Sequence, residues 1–235
     1  MLLEVDRLTA GYGAIIVVHQ VTLGLSQGEI VCVIGPNGAG KTTVLRAVSG
    51  QIVPSDGRIL FNGEDVSYQD IAKKGRKGLI LIPQGDNVFP NLTVFENLEI
   101  AGSLIQDTGK LHQGIEVVFD KFPMIKEKKN RPSRELSGGE RQVLALSRIL
   151  ILQPQVVLLD EPSLGLAPLI VDLVFQEIQD MNRKGISFLL VEQNARKGLS
   201  VSHRGYVLEL GKNRFSGTGQ ELLNNRDVQR LYLGG

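Results

Sequence analysis

Cysteine, net charge and long apolar runs are what this sequence has least of, and each shortage excludes a class of protein. One cysteine in 235 residues cannot build a disulfide framework. It is Cys32, in the apolar run Val31-Cys32-Val33-Ile34, where a thiol acts as a small hydrophobe and is expected in the core. Basic side chains number 26 and acidic ones 25, leaving a formal charge of +1. The footprint of a polybasic nucleic-acid binder is therefore missing. No apolar stretch approaches the ~18 to 20 residues of a membrane span. Met1-Leu2-Leu3-Glu4-Val5-Asp6 carries neither a basic segment nor a cleavage site. The expectation is a folded chain that is neither secreted nor embedded in a bilayer. With 42% hydrophobic residues there is material for one sizeable core, or a core and a small satellite. Glycine is abundant, with 27 residues, and its placement carries the argument.

Short apolar runs alternate with longer helical patterns. Strands are expected at Leu3–Leu8, Val17–Leu25, Ile30–Ile34, Arg58–Phe61, Leu79–Ile82, Val156–Asp160, Ser187–Val191 and Tyr206–Leu210. The fully apolar ones read as central parallel strands, buried on both faces. The alternating ones near the N-terminus read as an antiparallel layer. Thr93…Glu96, Ser137…Glu140 and Thr218…Glu221 fit the capping box that opens a helix. Pro168 opens another, with apolar Leu169, Ile170, Leu173, Val174, Ile178 and Met181 at helical spacing and Gly185 at its end.

Gly35-Pro36-Asn37-Gly38-Ala39-Gly40-Lys41-Thr42 matches the eight-position phosphate loop, between a buried strand and a helical run. Glycines let successive N–H groups turn toward a phosphate, and the helix adds its positive end. Lys41 brings a charge to the β- and γ-oxygens, Thr42 a hydroxyl for Mg²⁺, and Thr43 follows at the same turn. The strand Val156–Leu159 ends in Asp160-Glu161: Asp160 suits Mg²⁺ and Glu161 suits the proton of an attacking water. Together they describe a Mg²⁺-nucleotide phosphohydrolase of some kind; the nucleotide is ATP only by the resemblance that follows.

Leu136-Ser137-Gly138-Gly139-Glu140-Arg141-Gln142 narrows the class. With it the chain resembles the ATP-binding subunits of ABC transporters, whose signature is a Ser-Gly-Gly stretch opening a helix; Glu140 stands where many members carry Gln. Physically this is a second anion trap, two glycines and a hydroxyl at a helix start. The resemblance implies that Ser137, Gly138 and Gly139 face the γ-phosphate held by a second ATPase subunit, self or paralogue, in a head-to-tail dimer. It also implies that Tyr12 stacks on adenine and that Gln84 touches Mg²⁺ and the attacking water. Val88-Phe89-Pro90-Asn91-Leu92 would lie near the groove receiving the membrane subunits, with core packing of Phe89 as the rival reading. The implied fold is α/β: a P-loop NTPase core with a mainly parallel sheet, an N-terminal antiparallel β layer and an inserted helical subdomain. Residues 1–86 and 153–235 form the core and 87–152 the subdomain carrying the signature.

Two departures stand out. The loop Ser163-Leu164-Gly165-Leu166-Ala167 ends in Ala where the family often has Asp. Gln193, in Leu190-Val191-Glu192-Gln193-Asn194, takes the place of the family's switch histidine. Gln193 can still bond a γ-phosphate oxygen but carries no proton charge near neutrality, so hydrolysis is expected to lean on Glu161 and to lack an imidazole limb in its pH profile. Asp160–Pro168, Glu192–Ala195 and the terminal Leu231-Tyr232-Leu233-Gly234-Gly235 resemble the smaller ATPase subunit of branched-chain amino-acid importers. That implies two integral membrane permease chains, an extracytoplasmic solute-binding protein and a peripheral place on the cytoplasmic face of the inner membrane.

A lipopolysaccharide-export ATPase shares the Tyr-Leu-Gly ending, but that group usually keeps the histidine. Nucleic-acid-linked ABC proteins need a long coiled coil or two tandem ATPase units, and the chain has neither. The basic cluster Lys126, Lys128, Lys129, Arg131 and Arg134 is interrupted by Glu127 and Glu135 and reads as a solvated loop, with no nucleic-acid partner expected.

Overall fold

A computed structural model describes residues 1–85 and 88–233. The expected subdomain boundary at 86/87 and the last two glycines lie outside the described residues. Two sheets share the chain. One has four strands, β1 (Leu3–Tyr12), β2 (Ile15–Leu25), β4 (Asp56–Phe61) and β5 (Glu64–Asp65), in the order β2-β1-β4-β5, all antiparallel. The other has six, β3 (Ile30–Ile34), β6 (Leu79–Ile82), β7 (Val156–Asp160), β8 (Ser187–Val191), β9 (Arg204–Glu209) and β10 (Lys212–Thr218). Its order is β10-β9-β3-β8-β7-β6, parallel except for the antiparallel edge strand β10. This is the mainly parallel core with an antiparallel layer that the apolar patterns implied.

The two-residue period of a strand decides which core each side chain joins. Ile30, Cys32 and Ile34 of β3, Val157 and Leu159 of β7, and Phe188 and Leu190 of β8 face one core. Their neighbours Val31, Val33, Val156, Leu158, Leu189 and Val191 face the other. The second core is closed by β1, β2 and the helix α1 (Lys41–Ser49), which thus lies between the sheets. The first is closed by helices, among them α3 (Val94–Ala101), α4 (Thr108–Lys121), α5 (Pro123–Glu127), α6 (Gly138–Leu152) and α7 (Pro168–Arg183). A strand buried on both faces has no polar side, which is why these runs are wholly apolar. Among the described residues, no helix is long and apolar enough to cross a membrane.

All three expected capping boxes form, at Thr93, Ser137 and Thr218. Elsewhere the elements depart from expectation. β1 runs on from Leu8 to Tyr12 because β-bulges, with Arg7 and Gln20 in left-handed conformations, let pairing resume beyond the break in alternation. β10, rich in Lys, Arg, Asn and Gly, has no apolar period and was not foreseen; β9 supplies its hydrogen bonds. Leu210 belongs to the turn before it, not to β9. On α7 the buried face is Val174, Phe175, Ile178 and Met181, while Leu169 is 79% exposed at the helix start.

Candidate active site

Strand β3 ends at Ile34 and the chain turns through Gly35 (φ 150°), where an added Cβ would lie 2.2 Å from the Leu208 carbonyl oxygen of β9. Only glycine passes that close. Gly40 (φ 93°) then opens α1 with no side-chain cap, so the first N–H groups of the helix keep no partner of their own. Lys41 is buried and its ammonium donates to the Gly35 and Pro36 carbonyls, at 2.9 and 3.1 Å. The tip Pro36, Asn37 and Gly38 is exposed, and a Cβ at Gly38 would meet open space. The outer rim is fastened from afar: Gly211, in the turn between β9 and β10, donates to the Ala39 carbonyl (3.2 Å) and accepts from the His19 N–H of β2 (2.8 Å).

The carboxylates arrive from β7. Asp160 accepts from the Thr42 hydroxyl at 3.0 Å. Burial pushes its carboxyl up, and the Thr42 bond, Arg46 and Lys41 pull it back. Glu161 is 4.0 Å from the Lys41 ammonium and accepts from the Gln84 amide at 3.2 Å. Its pKa is also raised by burial; Lys41 lowers it and the Asp160 charge adds to the rise. Its backbone is left-handed (φ 48°), a conformation that costs about 1–3 kcal/mol outside glycine. Lys41, Thr42, Asp160, Glu161 and Gln84 thus form one cluster at the ends of adjacent strands and of α1. One hydroxyl beside one carboxylate fits Mg²⁺, which keeps waters and phosphate oxygens, rather than an all-protein cage. Among the described residues no larger group of metal-binding side chains occurs.

Tyr12 lies outside the cluster, 42% exposed at the end of β1. Its hydroxyl accepts from Arg46 (3.1 Å), with Thr43 at 3.5 Å, so it stands over α1 with the Arg46 guanidinium 5.9 Å from its ring centroid. The Ser137 hydroxyl accepts from the Glu140 N–H (3.3 Å), and the Glu140 carboxylate takes the Ser137 N–H (2.8 Å) and Lys128 (2.5 Å). Gly139 lets α6 approach α7, since a Cβ there would be 2.9 Å from Ile170. Gly138 lines a cleft of about 150 Å³ that also reaches Asp160 and Glu161. Gln193, exposed beyond β8, lines a cleft of about 570 Å³ with Pro168, Asp172 and Lys197, which shares the wall Leu164, Gly165 and Leu166 with the first.

Residues 18–164 match the family of ABC transporters. The chain is 40% identical, over the whole of both chains, to the high-affinity branched-chain amino acid transport ATP-binding protein BraG of Pseudomonas aeruginosa. The chain belongs to the ABC transporter family. A probable branched-chain amino acid transport ATP-binding protein, LivF of Archaeoglobus fulgidus, is 34% identical over 99% of both chains. LptB of Haemophilus influenzae, a lipopolysaccharide export system ATP-binding protein, is 33% identical over 99% of this chain and 97% of its own. The crystal structure of an ATP-binding cassette of an ABC transporter in its ADP conformation shares the fold, with TM-score 0.87 over 100% of this chain and 99% of that one at 23% identity.

Two features of this ABC protein go beyond the linear reading: a buried acid that escaped it, and the lining of an apolar groove beside Phe89, where a groove was expected. Glu192 is buried at the end of β8 and bonds Ser163; burial, against the pull of the Ser163 and Asn194 bonds, pushes its carboxyl up to about 7. An acidic residue beside Gln193 reads as a loop; the only clue is that it directly follows four apolar strand residues. The second is an apolar groove of about 460 Å³ between α2 (Ile71–Arg76) and α3, lined by Ile71, Phe89, Ile100 and Leu104. Phe89 is 53% exposed there, so core packing is not its role, whereas Val88 is buried. Within the basic cluster, Lys126 pairs with Asp120 and Glu116, and Arg134 donates to Asn91.

Proposed function

We infer that this chain is the ATP-hydrolysing subunit of an importer of branched-chain amino acids. The cluster of Lys41, Thr42, Asp160, Glu161 and Gln84 carries the ATPase reading, and the BraG and LivF likenesses carry the solute class. The loop Gly35–Gly40 and the start of α1 bind the phosphates through backbone N–H groups, Lys41 swings its ammonium from the loop carbonyls to them, and Tyr12 offers its ring to the base. Thr42, Asp160 and Gln84 hold Mg²⁺, which when bound neutralises charge on the phosphate oxygens. Glu161 Oε accepts the proton of the attacking water, with its raised pKa suiting a base and Gln84 orienting it. Gln193 donates a hydrogen bond toward the terminal phosphate.

Ser137, Gly138 and Gly139 serve the nucleotide of a second ATPase subunit, so that ATP closes a head-to-tail dimer only as far as it prefers the closed state. Residues 87–152 act as the unit that relays this motion, with Phe89 beside the groove that receives the membrane subunits; the importer has two integral membrane permease chains and a solute-binding protein, and this subunit sits at the cytoplasmic face of the inner membrane. Export of lipopolysaccharide is the weaker alternative, since LptB is the less similar relative and Gln193 replaces the histidine. Light scattering after size exclusion tests the reading: Glu161→Gln protein is expected to pair on addition of Mg-ATP and to stay monomeric without it. A variant that hydrolyses ATP at the native rate removes Glu161 as the base. Leucine uptake lost in cells carrying Glu161→Gln checks the solute.

A further inference from the structure

We propose that Glu192 is a positioning residue that locks the loop bearing Glu161 to the strand end bearing Gln193. The inference rests on the reading of Glu161 as the base. Glu192 is 1% exposed, and its carboxylate is met by three donors. Ser163 N–H reaches Oε1 at 3.1 Å, while the Ser163 hydroxyl (2.8 Å) and Asn194 N–H (3.3 Å) reach Oε2. A buried carboxylate held by dipoles is costly compared with an apolar side chain, so its presence calls for a role.

The backbone around Glu161 supplies that role. Glu161 N–H donates to the Val191 carbonyl at 2.8 Å. Pro162 has no N–H, so the next donor along the chain is Ser163 N–H, the one Glu192 takes. Val191 and Glu192, adjacent at the end of β8, therefore grip the chain on both sides of the Glu161–Pro162 step. That step contains the left-handed Glu161, a conformation that persists only when its surroundings impose it. Gln193 is the next residue, and Asn194, which caps α8 (Ala195–Ser200), is bonded to the same carboxylate. Below, α8 leaves no slack: a Cβ at Gly198 would sit 3.1 Å from Glu192 Cβ and 2.7 Å from Cys32 Sγ. Base and switch position are thus tied to one strand end, which Glu192 N–H also joins to the Val33 carbonyl of β3 at 3.2 Å.

The test is steady-state ATP hydrolysis and thermal melting of the purified full chain carrying Glu192→Ala, Glu192→Gln or Ser163→Ala, beside Glu161→Gln. Misplacing the base is expected to lower kcat of Glu192→Ala about 10- to 100-fold, with the KM for ATP within about twofold. Glu192→Gln keeps the shape and can accept from Ser163 N–H while its amide donates to the Ser163 hydroxyl, giving up only the longer Asn194 N–H bond, so it is expected to restore kcat to within about threefold. Ser163→Ala should fall between the two at an unchanged melting temperature. A native kcat in Glu192→Ala overturns the proposal, as does a Gln variant no better than Ala. If Glu192→Ala does not fold, a native kcat in Ser163→Ala overturns it. An active Glu161→Gln would instead overturn the assignment of the base.

Discussion

Helices α1 and α6 both begin at glycine-rich turns, yet they meet the loss of their first amide partners in opposite ways. α1 opens on Gly40 with no cap and no acid in its first turn. α6 opens on Ser137 inside a complete capping box, with Glu140 in its first turn and Lys128 bonded to that carboxylate. The α1 end is prepared for an anion by leaving its N–H groups free and setting Lys41 beside them. The α6 end is already content as a helix start: its serine oxygen accepts from Glu140 while the hydroxyl proton stays available to an acceptor. One end is built to bind alone, and the other to add contacts once something is brought to it.

Substitutions break or sharpen this contrast, the largest effect first. Glu161→Gln, at the α1 end, should slow ATP hydrolysis about 10²- to 10⁴-fold in a phosphate-release assay while leaving binding intact. Lys41→Ala should weaken ATP binding about 10- to 100-fold by calorimetry, the loss of one or two charge-assisted contacts. Ser137→Ala should leave that calorimetric affinity unchanged and weaken ATP-driven pairing of the Glu161→Gln background about tenfold, with about 1 kcal/mol lost from the helix cap. An ATP affinity that falls as far as in Lys41→Ala would mean that the two ends do the same job.

The smallest effect concerns pH. Glu192, pushed up to about 7 by burial, holds a proton in the folded chain between the ordinary carboxylate range and neutrality that the unfolded chain has released. Its contribution to stability is full below the ordinary range and is lost as pH rises toward 7. Melting followed across that window should show a fall with rising pH that Glu192→Gln flattens by a few degrees.

What could be read in advance was what local chemistry dictates. Gly35–Thr42 demands glycines for the backbone, a lysine and a hydroxyl, so its place and use follow from the letters. The strands buried on both faces betray themselves by having no polar side, and Thr93, Ser137 and Thr218 announce their helices through a glutamate three residues on. β10 was missed because an edge strand takes its order from its neighbour's hydrogen bonds, not from its own apolar period. Glu192 was missed because burial of a charge depends on which chain segment closes over it, here Ser163, 29 residues away. The groove at Phe89 needs α2 and α3 side by side, and no spacing along the chain records that.

The rim of the phosphate loop is fastened by Gly211, and its strand β3 pairs on both sides with β8 and β9. The loop itself is finished at Thr42. During synthesis the ribosome therefore makes the nucleotide cradle early and its walls last. Until the β9–β10 turn has left the exit tunnel, the nascent chain carries the motif without the pocket, and such long-range closure is the slow part of folding. Assembly is thereby ordered, since the rim of the loop gains its Gly211 bonds only after most of the chain has been made.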